Sequence, residues 1–178
     1  MSGWRVLIAC EFSGVVRRAF AARDHDAWSC DLLPSEGDSR FHFQGDVREV
    51  LGRGWDLMVA HPPCTYLTSS GLHWNTRRPE RAALTEASLL FVKQLLDADV
   101  PRIALENPIG CISTRVRRPD QIIQPWQFGH AESKATCLWL KNLPPLEPTR
   151  VLERPACGHW SNQTPSGQNK LGPSPTRA

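Results

Sequence analysis

Short apolar runs alternate with amphipathic stretches along the first two thirds of the chain. Four runs have the length of a buried strand: residues 4–9, 27–31, 56–60 and 102–106. Residues 15–23 and 79–98 lie between such runs and carry apolar side chains at helical spacing. Strands that alternate with helices predict βαβ units, and hence an α/β fold with a mostly parallel sheet flanked by helices.

The two helical stretches have clear sequence signals. The first follows the Ser13-Gly14 turn, and the second begins at Pro79, which suits the first turn of a helix. The apolar positions that indicate the first helix are Val15, Val16, Ala19 and Phe20. Those that indicate the second helix are Ala83, Ala87, Leu90 and Leu95.

The remaining segments give weaker signals. The pattern predicts a helical turn at residues 47–51, a polar loop at 65–76, and a strand at 135–140 that pairs with the segment around Trp126 and Phe128. From Leu143 onward the chain is rich in Pro, Ser and Gly and has no periodicity. We therefore expect a domain of residues 1–142 and a loop-like tail of residues 143–178.

Composition places the chain among ordinary globular proteins. Its 178 residues are 40% hydrophobic and 22% charged, enough for one domain with a substantial core. No apolar run reaches the ~18 residues of a membrane span, and the N-terminus does not resemble a signal peptide. We expect a cytoplasmic protein, whose six dispersed cysteines are free thiols. The net charge of +3 permits a nucleic acid or nucleotide partner without requiring one.

The residues that can do chemistry follow the predicted strands. Cys64 is placed by Pro62 and Pro63 after residues 56–60, and Glu106 closes residues 102–106. Because the carboxyl ends of parallel strands share one sheet edge, where ligands bind in open α/β sheets, these side chains should converge. A thiolate can add to an electron-poor ring carbon while a carboxyl group hydrogen-bonds a ring nitrogen.

Other uses of the same residue types fit less well. His61 precedes Cys64 by three residues on the same turn, which is unlike a Cys-His hydrolase and favours a loop histidine. Cys157 and His159, with Cys137, could in principle hold zinc, but no second spaced pair accompanies them. We expect no metal site.

The chain resembles the S-adenosylmethionine-dependent cytosine-C5 methyltransferases, specifically their short, phage-type members. Asp56 through Pro62-Pro63-Cys64 is similar to the catalytic motif, including the separation of eight residues between Asp56 and Cys64. Glu106-Asn107-Pro108 resembles the Glu-Asn-Val motif, with Pro in place of Val. The similarity covers about residues 4–140 and also includes segments that resemble the cofactor motifs: 5–14, Asp31 and 45–47.

The resemblance implies a Rossmann-like methyltransferase fold and a covalent mechanism. Cys64 would attack C6 of cytosine, and Glu106 would hydrogen-bond N3 and the exocyclic amine. Asn107 would brace the Cys64 loop, and Lys134 would face the base carbonyl. Asp31 would bind the ribose of S-adenosylmethionine. The other implied cofactor contacts are Phe12, Ser13, Gly14, Leu32, Asp46, Val47 and Pro62. The implied substrate contacts are Pro63, Ser69, Arg77 and Thr136.

Three differences from the family leave the substrate open. Val15 and Val16 follow Gly14 where the family has further glycines, and Lys134-Ala135-Thr136 replaces an Arg-x-Arg motif. Little sequence follows Lys134, so neither a target-recognition domain nor the final cofactor motif is visible, and the chain end suggests truncation. The substrate could be DNA or a free cytidine nucleotide such as dCMP or CMP. The alternative is an inactive module that binds nucleic acid or a protein.

Two expectations about partners follow. Several arginines could contact the phosphates of a nucleic acid, or simply be solvated: Arg77, Arg78, Arg81, Arg115, Arg117 and Arg118. A missing terminal helix would expose apolar sheet surface, which a second copy of the chain could cover in a homodimer. A target base within a duplex would have to be flipped out of the stack.

Overall fold

A computed structural model describes residues 3–166, 168 and 170. These residues form a seven-stranded sheet with the spatial order β3-β2-β1-β4-β5-β7-β6. The strands are β1 Arg5–Ala9, β2 Asp26–Asp31, β3 His42–Gln44, β4 Leu57–Ala60, β5 Arg102–Pro108, β6 Gln121–Ile123 and β7 Thr136–Lys141. The α-helices are α1 Val15–Ala21, α2 Ser69–Leu72, α3 Pro79–Leu96 and α4 Ile112–Arg115.

Strands β1 to β5 pair in parallel, which confirms the predicted α/β class. The order 3-2-1-4-5 is that of doubly wound sheets, in which β1 and β4 are adjacent and the strand order reverses beside β1. The 310 turn at Val47–Glu49 matches the helical turn predicted there. A crevice at the carboxyl ends of β1 and β4 is therefore the expected ligand position for this topology.

The far edge of the sheet differs from the prediction. Strand β7 runs antiparallel to both β5 and β6. Its partner at the sheet edge is Gln121–Ile123, whereas Trp126 lies in a following 310 turn, so the predicted pairing with the segment around Trp126 and Phe128 was wrong. The edge strand has three residues, and so short a segment gives almost no period-2 signal.

The core occupies both faces of the sheet. On one face, α3 packs its Leu89, Val92 and Leu95 against apolar side chains of β1, β4 and β5. On the other face, Val16 and Phe20 of α1 pack against a smaller cluster from β1, β2 and β4. Three half-buried side chains that are in register extend this second face across β4, β5 and β7: Val59, Ala104 and Leu140.

Both helices exist where the sequence predicts them, but their buried faces differ from those indicated by the apolar spacing. In α3, Leu90 is 60% exposed and both predicted alanines are exposed, while Thr85 is buried. In α1, Val15 is 60% exposed, Ala19 is exposed and Arg17 is buried. Several apolar registers are available on these helices, and contact with the sheet selects among them.

This rotation of α3 gives a matched pair of stability variants. Leu95→Ala removes a fully buried side chain and should lower the free energy of unfolding by about 2–5 kcal/mol. Leu90→Ala removes an exposed side chain on the same helix and should change it by less than about 0.5 kcal/mol. Urea unfolding with an unchanged m-value would measure both. Equal losses in the two variants would contradict the helix orientation.

Two further segments, residues 65–76 and the tail beyond Leu143, were predicted to be loops. Residues 65–76, predicted as a loop, contain α2 and a 310 turn at His73–Thr76, so that prediction was wrong in part. The described residues beyond Leu143 form no helix or strand, as expected for the tail, and its last eight residues lie outside the described part. Among the described helices, none is both long and apolar enough to cross a membrane.

Candidate functional site

The predicted site residues lie at the carboxyl ends of the parallel strands. Strands β1, β2, β4 and β5 are parallel neighbours, so their carboxyl ends bring residues 10–14, Asp31, residues 61–64 and Glu106 to the same side. The parallel ladders extend beyond β1 and β4, because His61 N–H donates to the Ala9 carbonyl at 2.9 Å and Glu11 N–H donates to the Cys30 carbonyl at 3.1 Å. The convergence expected from the sequence is present.

Asn107 holds the turn that carries Cys64. Its Nδ2 donates to the Pro62 carbonyl at 2.8 Å, and its side chain is buried in β5. Beyond this point the Cys64 carbonyl accepts N–H groups from Leu67 and Thr68, which closes a tight turn around the half-buried thiol. The brace that the resemblance implies for Asn107 corresponds to an actual hydrogen bond.

The chain segments that follow Cys64 and Glu106 are also bonded to each other. Cys111 N–H donates to the Leu67 carbonyl at 2.8 Å, and Ser69 N–H donates to the Ile109 carbonyl at 3.2 Å. A Cβ at Gly110 would lie 2.0 Å from the Leu67 oxygen, so this approach requires glycine. The two catalytic candidates therefore stand on segments that are fixed relative to each other.

His61 contacts Glu106, although its sequence position favoured a loop histidine. Its Nδ1 lies 3.2 Å from Glu106 Oε2, and both side chains are about one-quarter exposed. A hydrogen bond to the carboxylate form of Glu106 requires a proton on His61 Nδ1, which then donates. Ala60 pairs with Leu105 in the parallel ladder between β4 and β5. This register places His61, the residue after Ala60, beside Glu106.

Unpartnered polar atoms concentrate here. Four buried side-chain atoms lack a hydrogen-bond partner within the described residues: Arg17 Nε, His61 Nε2, Asn75 Oδ1 and Asn107 Oδ1. Two of them belong to the residues that tie the Cys64 turn and Glu106 together. Because buried polar groups are nearly always satisfied, such atoms at a sheet edge are typical of a site that receives a ligand or water.

A cavity of about 250 Å³ opens where β1 ends. It is lined by Cys10, Glu11, Phe12, Ser13, Val15, Val16 and His61. Phe12 and Ser13 are two of the predicted cofactor contacts, and His61 links the cavity to Glu106. Cys10 adopts a left-handed backbone conformation with φ of 61°, which is uncommon for a residue other than glycine and turns the chain sharply into the cavity wall.

Glu11 is a site residue that the sequence interpretation missed. Its carboxylate is buried and accepts N–H groups from Val16 at 2.7 Å and Arg17 at 3.3 Å, in the first turn of α1. These N–H groups are therefore already paired, and the expected backbone contact of a ligand with this helix end is not available. Glu11 lies two residues after β1, and an acid close to the end of a buried strand is a signal that could have indicated it.

Gly14 has a conformational role at this turn. It lies in the left-handed region with φ of 68° and is buried, and a Cβ would come within 3.1 Å of the guanidinium groups of Arg17 and Arg18. It does not line the cavity. The absence of further glycines after Gly14 is thus compatible with the turn, because the chain enters α1 at once.

The second and third predicted cofactor segments, at Asp31 and at residues 45–47, differ in how accessible their side chains are to a ligand. Asp31 is buried at the end of β2, where Oδ1 accepts the Leu33 N–H at 3.0 Å, and the following Leu32 is 71% exposed. Asp46 instead pairs with Arg48, whose hydrogen bonds lower the pKa of this carboxyl. The Val47 side chain is buried in the core, which leaves only its backbone for a ligand.

The predicted substrate contacts, together with Pro62 and Lys134, differ in exposure. Pro62 is buried, whereas Pro63, Ser69 and Lys134 are exposed. Lys134 Nζ has no hydrogen bond or ion pair within the described residues. The half-buried Thr136 donates its hydroxyl to the Lys134 carbonyl at 3.2 Å. The arrangement leaves one unpaired cation two residues before β7.

The arginines expected at phosphates differ in the groups that they contact. Arg115 pairs with Glu86 and Arg117 with Asp120, so their charges are matched within the protein. Arg77 and Arg78 instead lie over the exposed ring of Trp74, at 5.7 and 5.4 Å from its centroid. Arg81 is used to hold the Cys64 side of the site, since it donates to the Thr65 and Gly71 carbonyls.

Burial keeps three of the six cysteines protonated. It raises the pKa of Cys30 to about 11, with the charges of Asp31, Asp46 and Glu49 adding to the effect. Burial also raises the pKa of Cys111 and Cys137. Because the thiolate is the nucleophile, these three thiols do not compete with Cys64 near neutral pH.

This difference is measurable by alkylation at pH 8. At that pH only about one Cys30 side chain in a thousand is ionised, so Cys30 should react far more slowly than the exposed Cys157. Its labelling should rise as the pH approaches 11 or when the chain unfolds. Mass mapping of iodoacetamide adducts over time would test this. Labelling of native Cys30 at the rate of Cys157 would contradict it.

No group of three or more His, Cys, Asp and Glu side chains within the described residues could hold a metal ion. Cys157 and His159 bond to each other's carbonyl groups, while Cys137 is buried in the core. The sequence matches no protein-family model, and no curated protein matches it either. The function of this site must therefore be argued from its geometry and chemistry.

Proposed function

We propose that the chain transfers a methyl group from S-adenosylmethionine to C5 of cytosine through a covalent adduct of Cys64. The observation that carries this proposal is the hydrogen bond from Asn107 to the Pro62 carbonyl. It ties the turn that carries a half-buried thiol to the strand that carries a partly exposed carboxyl group, Glu106, in a site with unpartnered polar atoms. Thiol addition supported by a carboxyl hydrogen bond is the chemistry this pair can perform.

The roles of the chain's residues follow from the bonds they make. Cys64 Sγ adds to C6 of the cytosine, which makes C5 electron-rich, while Glu106 hydrogen-bonds N3 and the exocyclic amine. C5 would then take the methyl group from the sulfonium, which would leave as the neutral thioether. A base or water would remove the C5 proton, and the C6–S bond would break with its electron pair returning to Cys64 Sγ as the thiolate. Lys134, which has no partner within the described residues, supplies a positive charge to the base carbonyl.

S-adenosylmethionine would lie at the sheet edge next to this pair. S-adenosylmethionine supplies an electrophilic methyl group when bound. The cavity at the end of β1 offers Phe12 and Ser13, and the Asp31 carboxylate at the end of β2 is a suitable acceptor for ribose hydroxyls. The exposed Leu32 provides apolar surface beside it. Asp46 would contribute less than the resemblance implies, because Arg48 already holds it.

The direct test offers methyl-labelled S-adenosylmethionine together with duplex DNA, single-stranded DNA, dCMP or CMP. We expect label to enter cytosine C5 in one of these substrates and to be lost in the Cys64→Ala variant. Label in a mononucleotide would identify a nucleotide-modifying enzyme, and label in DNA alone a nucleic acid methyltransferase. Cofactor binding without transfer to any substrate would overturn the catalytic proposal and support a binding module.

His61 is a positioning residue within this proposal. Without its contact to Oε2, the Glu106 carboxyl can rotate away from the base, and a misplaced catalytic group costs on the order of 10²-fold in rate. We expect His61→Leu to lower kcat by about this factor with little change in KM. His61→Asn, whose amide N–H can occupy the Nδ1 position, should recover most of the loss. Equal losses in both variants would indicate a purely packing role.

A further inference from the structure

A second cavity lies in the tail region and shares no lining residue with the cavity at the end of β1. This tail pocket has a volume of about 370 Å³ and is lined by Trp126, Ser133, Leu152, Arg154, Trp160 and Gln163. Its size falls within the range of about 300–1,000 Å³ that is common for small-molecule sites. No carboxylate is among its lining residues. An apolar, uncharged or anionic group is thus the type of occupant it suits.

Two tryptophan rings form the wall of the tail pocket. The rings of Trp126 and Trp160 are parallel within 3°, and their centroids lie 6.2 Å apart. A flat heterocycle that stacks on one ring is therefore parallel to the other as well. Trp160 is buried and Trp126 is half-buried, and neither indole N–H donates a hydrogen bond within the described residues, whereas those of Trp55 and Trp139 do. Flat surface and unused donors together fit a nucleobase.

The cationic groups near this wall are unpaired. Arg154 lines the pocket, is exposed, and makes no ion pair or hydrogen bond within the described part of the chain. Lys134, next to the lining residue Ser133, is likewise without a partner there. An aromatic wall with free cations beside it is the arrangement by which proteins bind single strands, through stacking and phosphate contacts.

The pocket is built into the fold and opens beside the catalytic edge. Ser133 N–H donates to Asn162 Oδ1 at 2.9 Å, and Asn162 Nδ2 donates back to the Ser133 carbonyl at 2.8 Å, which clamps the tail to the chain before β7. Thr136, three residues further, pairs with Pro108. Three residues span about 10 Å at most, so the pocket lies within reach of a short run of nucleotides from Glu106.

We infer that the tail pocket binds an unpaired base of a single-stranded nucleic acid, next to the cytosine that Cys64 acts on. The base stacks on Trp126, and Arg154 contacts a flanking phosphate. The inference rests on the proposed function for the position of the target cytosine. It names the substrate as a polynucleotide, because a mononucleotide held at Cys64 has no second base to place in this pocket.

The test measures binding without methyl transfer. Fluorescein-labelled oligothymidylate contains no cytosine, and its anisotropy reports affinity for the full chain between 50 and 200 mM salt. Trp126→Ala should weaken binding about 5- to 150-fold, the effect of losing one stacked base, and Trp126→Phe should weaken it less. Arg154→Ala should reduce the slope of log affinity against log salt by about 0.7.

Matched controls come from the other side of the sheet, at the N-terminal ends of β1 and β2. Trp4→Ala and Arg23→Ala remove an exposed indole and an exposed guanidinium there and should leave affinity and slope unchanged. The inference is overturned if the wild-type chain does not bind the oligonucleotide, if Trp126→Ala and Arg154→Ala bind like wild type, or if dTMP competes as well as the oligonucleotide.

The failure of this inference and that of the proposed function are distinguishable. Methyl transfer with unaltered oligonucleotide binding in the pocket variants overturns the inference and leaves the catalytic proposal standing. Oligonucleotide binding that depends on Trp126 and Arg154, with no methyl transfer to any cytosine substrate, overturns the catalytic proposal. The tail pocket then remains a single-strand site on a non-catalytic chain.

Discussion

We expect the Cys64→Ala variant to lose methyl transfer by on the order of 10⁴-fold or more. Removal of a catalytic nucleophile leaves only the rate that binding and electrostatics supply, and losses of this size are usual for covalent catalysis. The side chain is half-buried at a turn held by backbone bonds, and alanine fits the same space. The affinity for S-adenosylmethionine should therefore change by less than about twofold.

The adduct itself gives a second readout of this prediction. A cytosine with fluorine at C5 cannot lose a proton from that carbon after methyl transfer, so the C6–S bond to Cys64 should persist. Mass spectrometry of the intact chain should then detect protein linked to substrate in the wild type and none in Cys64→Ala. The suitable control is Cys157→Ala, which removes an exposed thiol and should leave both rate and adduct unchanged.

A retained rate in Cys64→Ala would have a specific meaning. The remaining thiol nearest the cavity is Cys10, whose strained backbone at the end of β1 aims it into the wall that His61 also lines. If transfer persisted in Cys64→Ala and disappeared in Cys10→Ala, the nucleophile would have been assigned to the wrong strand end. If transfer persisted in both variants, covalent thiol catalysis would be excluded.

The parts of the fold that the sequence predicts well are those fixed by local pattern. The buried strands β1, β2, β4 and β5 read as apolar runs because both of their faces are covered. The convergence of Cys64, Asp31 and Glu106 then follows from parallel pairing alone. These inferences need only strand direction and neighbours, both of which βαβ connectivity determines.

What the sequence does not predict depends on contacts between distant segments. The face that α3 buries is set by the sheet, so Leu89 is buried and Leu90 is exposed although either fits a helical period. The His61–Glu106 contact depends on the register between β4 and β5. A shift of that register by one residue would break the contact. The tail pocket joins Trp126 and Trp160, which are 34 positions apart with β7 and long irregular segments between them, and no sequence pattern pairs the two rings.

The availability of acidic groups is the other feature that sequence alone does not give. Asp31 and Asp46 both follow strands and look equivalent as acceptors. Only the structure shows that Asp46 is held by Arg48 while Asp31 keeps an oxygen beside the exposed Leu32. Glu11, in contrast, satisfies the first turn of α1 and is thereby removed from ligand binding. Local hydrogen bonds decide which carboxylates remain for chemistry.

The second large effect that we expect is a fall in kcat of about 10²–10⁴-fold in Glu106→Gln. A glutamine amide can accept from the exocyclic amine and donate to N3, so base binding should persist and KM should change by no more than about fivefold. The amide cannot transfer a proton, so addition of Cys64 to C6 loses its support. Glu147→Gln, a change at an exposed side chain that lines neither cavity, is the matched control and should be neutral.

The split between kcat and KM is what separates the roles open to Glu106. A loss confined to KM would mean that the carboxyl group only binds the base, since uniform binding does not alter the chemical step. Steady-state rates should be paired with the yield of the fluorocytosine adduct, because Glu106→Gln should lower adduct formation together with kcat. A normal adduct yield with a low kcat would move the role of Glu106 to a step after thiol addition. In that case His61, through its 3.2 Å contact, would act on the same later step and not on the attack by Cys64.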